Sequence, residues 1–179
     1  MQPSPPPHAH GLYASRWVER FAAFVPAGGA VLDLAAGAGR HSRLFLDRGY
    51  SVVAVDRDPA PLQPLVGRPG FAVIVADLET GAPWPLGERR FAGVVVTNYL
   101  HRPLLPAIIA AVAPGGMLIY ETFARGNERF GKPSNPDFLL APGELLDAVR
   151  GRTRVLAYED LEISEPRPAA VQRIAARAE

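Results

Sequence analysis

Four polar side chains stand at the ends of four short apolar runs. These side chains are Asp33, Asp56, Asp77 and Asn98. Each run has the length and composition of a strand that is buried on both faces of a parallel sheet. In an open parallel sheet, ligands bind beyond the carboxyl ends of the strands. The spacing therefore predicts that the four side chains face one ligand site.

A glycine-rich turn, Ala35-Ala36-Gly37-Ala38-Gly39, follows the first run. Glycines let a ligand come close to the backbone, and a helix N-terminus beyond them offers free N–H groups. The segment that ends at Ser42 reads G-x-G-x-x-S, close to the dinucleotide fingerprint, so NAD and NADP are candidate ligands. Asp56, 17 positions after Gly39, is placed to accept both hydroxyls of a ribose.

Asp33 separates two classes of ligand. A dinucleotide brings a doubly charged pyrophosphate to such a turn, and a carboxylate at the mouth of the turn repels it. S-adenosylmethionine (SAM) carries an ammonium and a sulfonium and no phosphate. The residues therefore favour SAM over a dinucleotide.

The chain resembles the class I SAM-dependent methyltransferases. The resemblance spans roughly residues 12–122, in order and at normal spacing. The segments that carry it are VLDLAAGAGRHS at 31–42, VVAVDRDP at 52–59, VADLE at 75–79, VTNYLHR at 96–102 and APGGMLIYET at 113–122. Within the family, the compact length is similar to that of small tellurite-resistance-type and small-molecule methyltransferases.

The resemblance implies SAM as cofactor and a role for each matching position. It places Asp33 near the methionyl amine, Asp56 at the ribose and Asn98 at the methionyl end. It also implies that Asp77 binds the adenine amine and that Leu78 makes an adjacent backbone contact. The remaining implied cofactor residues are Arg57 on one face of the adenine and Ala35, Gly37 and Gly39 beneath the cofactor. Ala35 departs from the family pattern, which usually has glycine there.

No catalytic residue is assigned from the sequence. Methyl transfer needs an aligned, unprotonated nucleophile and exclusion of water, so no triad is required. Tyr99, His101 and Glu121 fall near the presumed mouth of the site and are candidates to orient an acceptor. No metal site is predicted.

The element pattern predicts an α/β fold: a Rossmann-like, doubly wound, mostly parallel seven-stranded sheet in a three-layer αβα arrangement. A short connection makes the last two strands an antiparallel pair. A short helix is predicted after Asp58. The predicted strands are 30–34, 51–55, 71–76, 91–97, 116–120, 153–163 and 169–176, and the other predicted helices are 12–24, 40–47, 106–112 and 142–150.

The chain divides into a predicted disordered segment, 1–11, and one SAM-dependent methyltransferase domain, 12–179. The segment 122–141 lacks a sustained period and is rich in Gly, Pro, Asn and Arg. Structureless segments of this length are uncommon unless they cover a site. We expect it to form a substrate cap.

Composition narrows the possible partners. The 179 residues carry 19 Lys+Arg, 18 Asp+Glu and no Cys, so the net charge is +1. This balance argues against binding to nucleic acid or an anionic membrane, and the missing cysteines exclude thiolate chemistry. With no apolar span or signal-peptide pattern, a cytoplasmic protein with a small-molecule methyl acceptor is expected.

Three alternatives remain open at this point. One is an NAD(P)-binding Rossmann oxidoreductase, which Asp33 disfavours. Another is a nucleic-acid or protein methyltransferase, although Asn98-Tyr99 lacks the prolines of an N-P-P-Y tetrad. The third is a binding or scaffold protein with a vestigial site.

Overall fold

One seven-stranded sheet organises the chain. The computed structural model describes residues 13–179. The strands are β1 (Ala30–Leu34), β2 (Ser51–Asp56), β3 (Phe71–Val75), β4 (Phe91–Thr97), β5 (Val112–Phe123), β6 (Thr153–Ile163) and β7 (Ala169–Ala178). Their order is β3-β2-β1-β4-β5-β7-β6, with β7 antiparallel to both β5 and β6 and all other pairs parallel. The predicted fold class is confirmed.

Four α-helices cover the two faces of the sheet: α1 (Arg16–Ala22), α2 (Arg40–Asp47), α3 (Leu105–Ala110) and α4 (Glu144–Val149). Helices α1 and α2 pack in one apolar cluster with Val31 and Ile119. Helices α3 and α4 pack in another cluster with Leu32 and Leu118. Alternation along the strands separates the two clusters. Each fully buried large apolar side chain contributes roughly 1.5–3 kcal/mol to these layers.

The first helix is shorter than the predicted 12–24. It begins after Ser15, whose hydroxyl accepts hydrogen bonds from the N–H groups of Trp17 and Val18. The sequence pattern placed the start of this helix too early, because Ser15, which caps the helix, lies within the stretch that was predicted as helical. Residue 12 and the predicted disordered segment 1–11 lie outside the described residues.

The helix predicted after Asp58 is a 3-10 helix, Ala60–Leu65. Pro64 lies inside it and cannot donate a backbone hydrogen bond, which favours this short form. Asp58 Oδ1 accepts a hydrogen bond from Ala60 N at 3.0 Å, so Asp58 caps the turn as expected.

Strand β5 is longer than the predicted 116–120 and includes Val112, where the sequence predicted the end of a helix. The Pro114-Gly115-Gly116 segment does not interrupt the strand. A Cβ on Gly116 would lie 2.8–3.0 Å from the carbonyl oxygens of Ala113, Ala92 and Phe91. Glycine there lets β5 pass close to β4, beside an irregular register between Phe91 and Gly93.

The segment 122–141 is not structureless, and its first two residues belong to β5. It contains the 3-10 helices Asn127–Arg129 and Pro136–Phe138 and a single bridge between Ala124 and Leu140. Within residues 13–179, no helix is long and apolar enough to cross a membrane.

Candidate functional site

The site lies where the strand order reverses, between β1 and β4. The glycine-rich turn after β1 has left-handed backbone at Ala35 (φ 53°), Gly37 (φ 55°) and Gly39 (φ 69°). A Cβ on Gly39 would lie 2.7 Å from Leu65 Cδ1 and 2.8 Å from Leu62 Cδ2. Both backbone and packing therefore require glycine at position 39.

Asp33 lies buried beneath this turn, with 2% of its surface exposed, rather than open at its mouth. Its Oδ2 atom accepts hydrogen bonds from Ser42 N at 2.9 Å and from Ser42 Oγ at 2.6 Å. Burial raises the pKa of Asp33 to about 7, against the lowering effect of the Ser42 hydrogen bonds and of Arg40. The carboxyl thus anchors the first turn of α2 and titrates near neutral pH.

Asp56 holds the other side of the turn. Its Oδ2 atom accepts a hydrogen bond from Gly37 N at 2.7 Å, and Oδ1 accepts one from Asp58 N at 3.0 Å. Each carboxylate oxygen keeps capacity for a further donor, because a carboxylate can accept about four hydrogen bonds. Asp56 thus fixes the turn while remaining half-buried and able to accept hydroxyl groups.

Side chains of alternating charge continue from this turn across one face of the sheet. The carboxylates of Glu121 and Asp33 act on the Arg40 guanidinium, and both oppose the lowering of its pKa by burial. Glu121 Oε2 lies 2.5 Å from Arg173 Nε, and Arg173 Nη1 lies 3.2 Å from Glu159 Oε2. Each charge in the series is therefore offset by a neighbour.

The structure brings the other predicted cofactor residues to the same edge of the sheet. Asp77 and Leu78 follow β3, where Asp77 Oδ1 accepts a hydrogen bond from Glu79 N at 3.0 Å. Arg57 is exposed beside Asp56. Asn98 follows β4 in a left-handed conformation (φ 54°).

The three candidates for orienting an acceptor have different surroundings. The hydroxyl of Tyr99 is buried and has no hydrogen-bond partner among residues 13–179. Burial, followed by the carboxylates of Glu79 and Asp77, raises the pKa of Tyr99 to about 12. His101 is half-buried before a 3-10 helix, where its side chain makes no capping bond. Glu121 is paired with Arg173.

His41 is a residue whose role the sequence pattern missed. Only 2% of its surface is exposed. Its Nε2 atom accepts a hydrogen bond from Ser15 N at 3.2 Å. Burial, aided by Arg40, lowers the pKa of His41 to about 3, so the imidazole is neutral. Its place in the first turn of α2 was visible, but its partner, 26 positions earlier, was not.

A cavity of about 250 Å³ opens at the carboxyl ends of β4 and β5. The segment 122–141 contributes several of its walls. The lining residues are Glu79, Asn98, Tyr99, Leu100, Thr122, Phe123, Pro133 and Phe138.

Two buried or half-buried side chains hold the 122–141 segment in place. Arg102 donates to both carboxylate oxygens of Glu144 at 2.6 and 3.0 Å, and to the carbonyl oxygens of Asp137 and Leu139 at 2.7 and 2.8 Å. Asn127 donates to the Pro133 carbonyl oxygen at 2.9 Å and accepts from Ala170 N at 3.3 Å. The segment 122–141 is therefore held in place on two sides.

Comparisons with known proteins agree with this architecture. No protein-family model matches the chain. An uncharacterized methyltransferase of Mycobacterium tuberculosis (strain H37Rv) is 35% identical over 92 residues, which cover 49% of this chain and 37% of the relative. The chain thus matches well under half the length of that relative.

Two solved structures share the fold over most of this chain. TehB from Haemophilus influenzae superposes with a TM-score of 0.70 at 19% identity, covering 91% of this chain and 61% of TehB. The 1,6-didemethyltoxoflavin-N1-methyltransferase of Burkholderia thailandensis has a TM-score of 0.62 at 21% identity and covers 91% of this chain and 78% of its own. That enzyme was crystallised with 1,6-didemethyltoxoflavin and S-adenosylhomocysteine (SAH).

The fold and the strand-end site define a class. The chain has the Rossmann-like fold of the class I SAM-dependent methyltransferases, and the resemblance seen in its sequence is confirmed at the level of fold.

Proposed function

We propose that this chain is a SAM-dependent methyltransferase that acts on a small-molecule acceptor. One observation carries the choice of cofactor. The backbone N–H groups that would bind a phosphate at this turn already donate to carboxylates. Gly37 N donates to Asp56, and Ser42 N donates to Asp33. A pyrophosphate would compete with both carboxylates, whereas an ammonium is attracted by the charge of the buried Asp33 and a hydroxyl can donate to the half-buried Asp56.

The donor set fits the two ends of SAM. Asp33, buried beneath the turn, attracts the methionyl amine by its charge, and Asp56 accepts hydrogen bonds from the ribose hydroxyls while holding the turn through Gly37 N. Asn98 lies at the methionyl end, and Ala35, Gly37 and Gly39 run beneath the cofactor. Asp77, Leu78 and Arg57 form the adenine end of this proposed site.

When bound, SAM would supply an electrophilic methyl group, and a nucleophilic atom of the acceptor would take it as the C–S bond breaks and the sulfonium becomes a neutral thioether. The chain's own task is then to align the acceptor and to exclude water. The cavity beside Asn98 and Tyr99 provides the place, and the anchored 122–141 segment provides the cover. We propose this segment as the substrate cap and Tyr99 as an acceptor contact.

The other two candidates receive different roles. Glu121 is engaged by Arg173 and acts on Arg40, so we assign it to positioning that side chain. His101 makes no capping bond and is given no role in transfer. The volume of the cavity, about 250 Å³, favours a small molecule over a polymer substrate.

Isothermal titration of the protein with SAM, SAH and NADH tests the proposal. SAM and SAH are expected to bind and NADH is not. Only the ionised form of Asp33, whose pKa is about 7, attracts the ammonium of SAM. SAM affinity should therefore weaken by up to about tenfold for each pH unit below pH 7 and level off above it.

Asp33→Asn is the matched variant for that pH series, since it keeps the shape of the side chain and cannot ionise. Its SAM affinity should be weak and flat with pH. Binding of NADH with no binding of SAM or SAH by the wild-type protein would overturn the proposal.

A further inference from the structure

The cavity beside Asn98 has a distinctive chemical lining. Three of its eight lining residues are aromatic: Tyr99, Phe123 and Phe138. One lining residue, Glu79, carries a charge, and among residues 13–179 the lining includes no Lys, Arg or His. Aromatic faces and carboxylates both attract cations.

Glu79 lines the same cavity as Tyr99 and is exposed. Its backbone N–H donates to Asp77 Oδ1 at 3.0 Å, which fixes the turn that carries it. The carboxylates of Glu79 and Asp77 both act on the Tyr99 hydroxyl and add to the rise in its pKa caused by burial. Within residues 13–179, no ion pair involves Glu79. The carboxylate of Glu79 is therefore not engaged in an ion pair within the described residues and can meet a ligand.

Arg102, the cation that holds the 122–141 segment, is already committed. The guanidinium of Arg102 is taken up by Glu144 and by the carbonyl oxygens of Asp137 and Leu139. Tyr99 itself is fixed from below, because the Tyr120 hydroxyl donates to the Tyr99 carbonyl oxygen at 2.8 Å. The backbone that carries Tyr99 and Phe138 is thus held in place.

We propose that this cavity binds a small amine with an aromatic or aliphatic body as the methyl acceptor: the amine is held as its ammonium, which passes a proton by way of Glu79 to solvent, and the neutral nitrogen then takes the methyl group. The body lies between the rings of Phe123, Phe138 and Tyr99, and the ammonium group lies against Glu79. The volume of about 250 Å³ fits a molecule smaller than a typical drug, for which pockets run from roughly 300 Å³ upward. This assignment deepens the proposed function and rests on it.

Three probes of nearly equal size and different charge test the assignment: 2-phenylethylamine, 2-phenylethanol and 3-phenylpropionate. Binding is measured by ligand-observed NMR titration of the wild-type protein, with and without saturating SAH. The amine should bind at least about five-fold more tightly than the alcohol and still more tightly than the carboxylate. It should bind with SAH present, because the acceptor and the cofactor occupy neighbouring places.

Two variants separate charge from shape. Glu79→Gln should bring the ratio of amine to alcohol affinity close to one, whereas Glu88→Gln, an exposed glutamate of the same connection, should leave the ratio unchanged. Phe138→Leu should weaken the amine more than the alcohol, because it removes a ring and keeps an apolar wall. Thermal melts check that all three variants are folded.

Equal affinity for the amine and the alcohol, or the same ratio in Glu79→Gln as in Glu88→Gln, would overturn the cation assignment. So would loss of the amine on adding SAH, which would place the cavity within the cofactor site. These outcomes are distinct from failure of the proposed function, which is a lack of SAH binding by the wild-type protein.

Discussion

The two halves of the candidate site differ in how their carboxylates are used. On the glycine-turn side, Asp33 and Asp56 already accept hydrogen bonds from Ser42 and Gly37. On the cavity side, Glu79 has no ion pair and Tyr99 has an unpartnered hydroxyl within the described residues. The first half is built before any ligand arrives, and the second leaves its polar groups for the ligand to satisfy. Groups left unsatisfied are the ones that discriminate between ligands.

The largest expected effect concerns two buried groups of the glycine-turn side with opposite pH dependence. His41 has a folded pKa of about 3, below its unfolded value near 6.5, so its contribution to the free energy of unfolding rises with pH across that window. Asp33 has a folded pKa of about 7, above its unfolded value of 3.8, so its contribution falls with pH from about 4 to 7. Between about pH 4 and 6.5 the two slopes offset each other.

Single variants should expose each slope. Relative to wild type, the free energy of unfolding of Asp33→Asn should rise by about 1.4 kcal/mol per pH unit in this window, and that of His41→Gln should fall by a similar amount. Urea denaturation at pH 4.5, 5.5 and 6.5 measures both. Parallel curves for all three proteins would show that neither burial shift is real.

The next effect tests whether the carboxylates on the glycine-turn side bind a ligand or only stabilise the turn. Asp56→Ala should weaken SAM binding by ~1–3 kcal/mol, because the ribose hydroxyls and Gly37 N lose an acceptor. Asp58→Ala is the matched control: its carboxylate caps the following 3-10 helix through Ala60 N, so its loss should leave SAM affinity nearly unchanged. Calorimetric titration compares the two. Equal affinities in the two variants would remove the ribose assignment.

The smallest effect concerns the backbone of the turn. Ala35 has φ 53°, a left-handed conformation that disfavours a Cβ. Ala35→Gly should therefore stabilise the fold by about 1 kcal/mol. Ala38→Gly, in the same turn but without a left-handed backbone, should be neutral or slightly destabilising. Thermal unfolding ranks the two, and an Ala35→Gly variant that is the less stable of the pair would contradict the strain argument.

Local pattern was sufficient for much of the sheet. The bounds of β1, β4, β6 and α2 were predicted correctly, because apolar runs and turn residues mark them within a few positions. The start of α1 and the extent of β5 were wrong. At Gly116 the deciding contact is with the backbone of β4, which no local pattern reveals.

The candidate site divides in the same way. The strand-end positions of Asp33 and Asp56 were predicted from the sequence pattern, whereas the burial of Asp33 beneath the turn was not. The hydrogen bond of His41 to Ser15 and the fork of Arg102 on Glu144 join residues 26 and 42 positions apart. Contacts over such distances along the chain depend on the complete topology. The composition of the segment 122–141 therefore predicted a cover for the site, but it did not predict which residues hold that segment in place.

The hydrogen bond from Ser15 N to His41 Nε2 connects the start of α1 to the first turn of α2. Ser15 begins α1, and His41 stands in the first turn after the glycines. Local unfolding at the start of α1 would remove a hydrogen-bond partner from the imidazole beside the glycine-rich turn. Conversely, a ligand that orders this turn would also stabilise the start of α1, so the two regions are expected to open and close together.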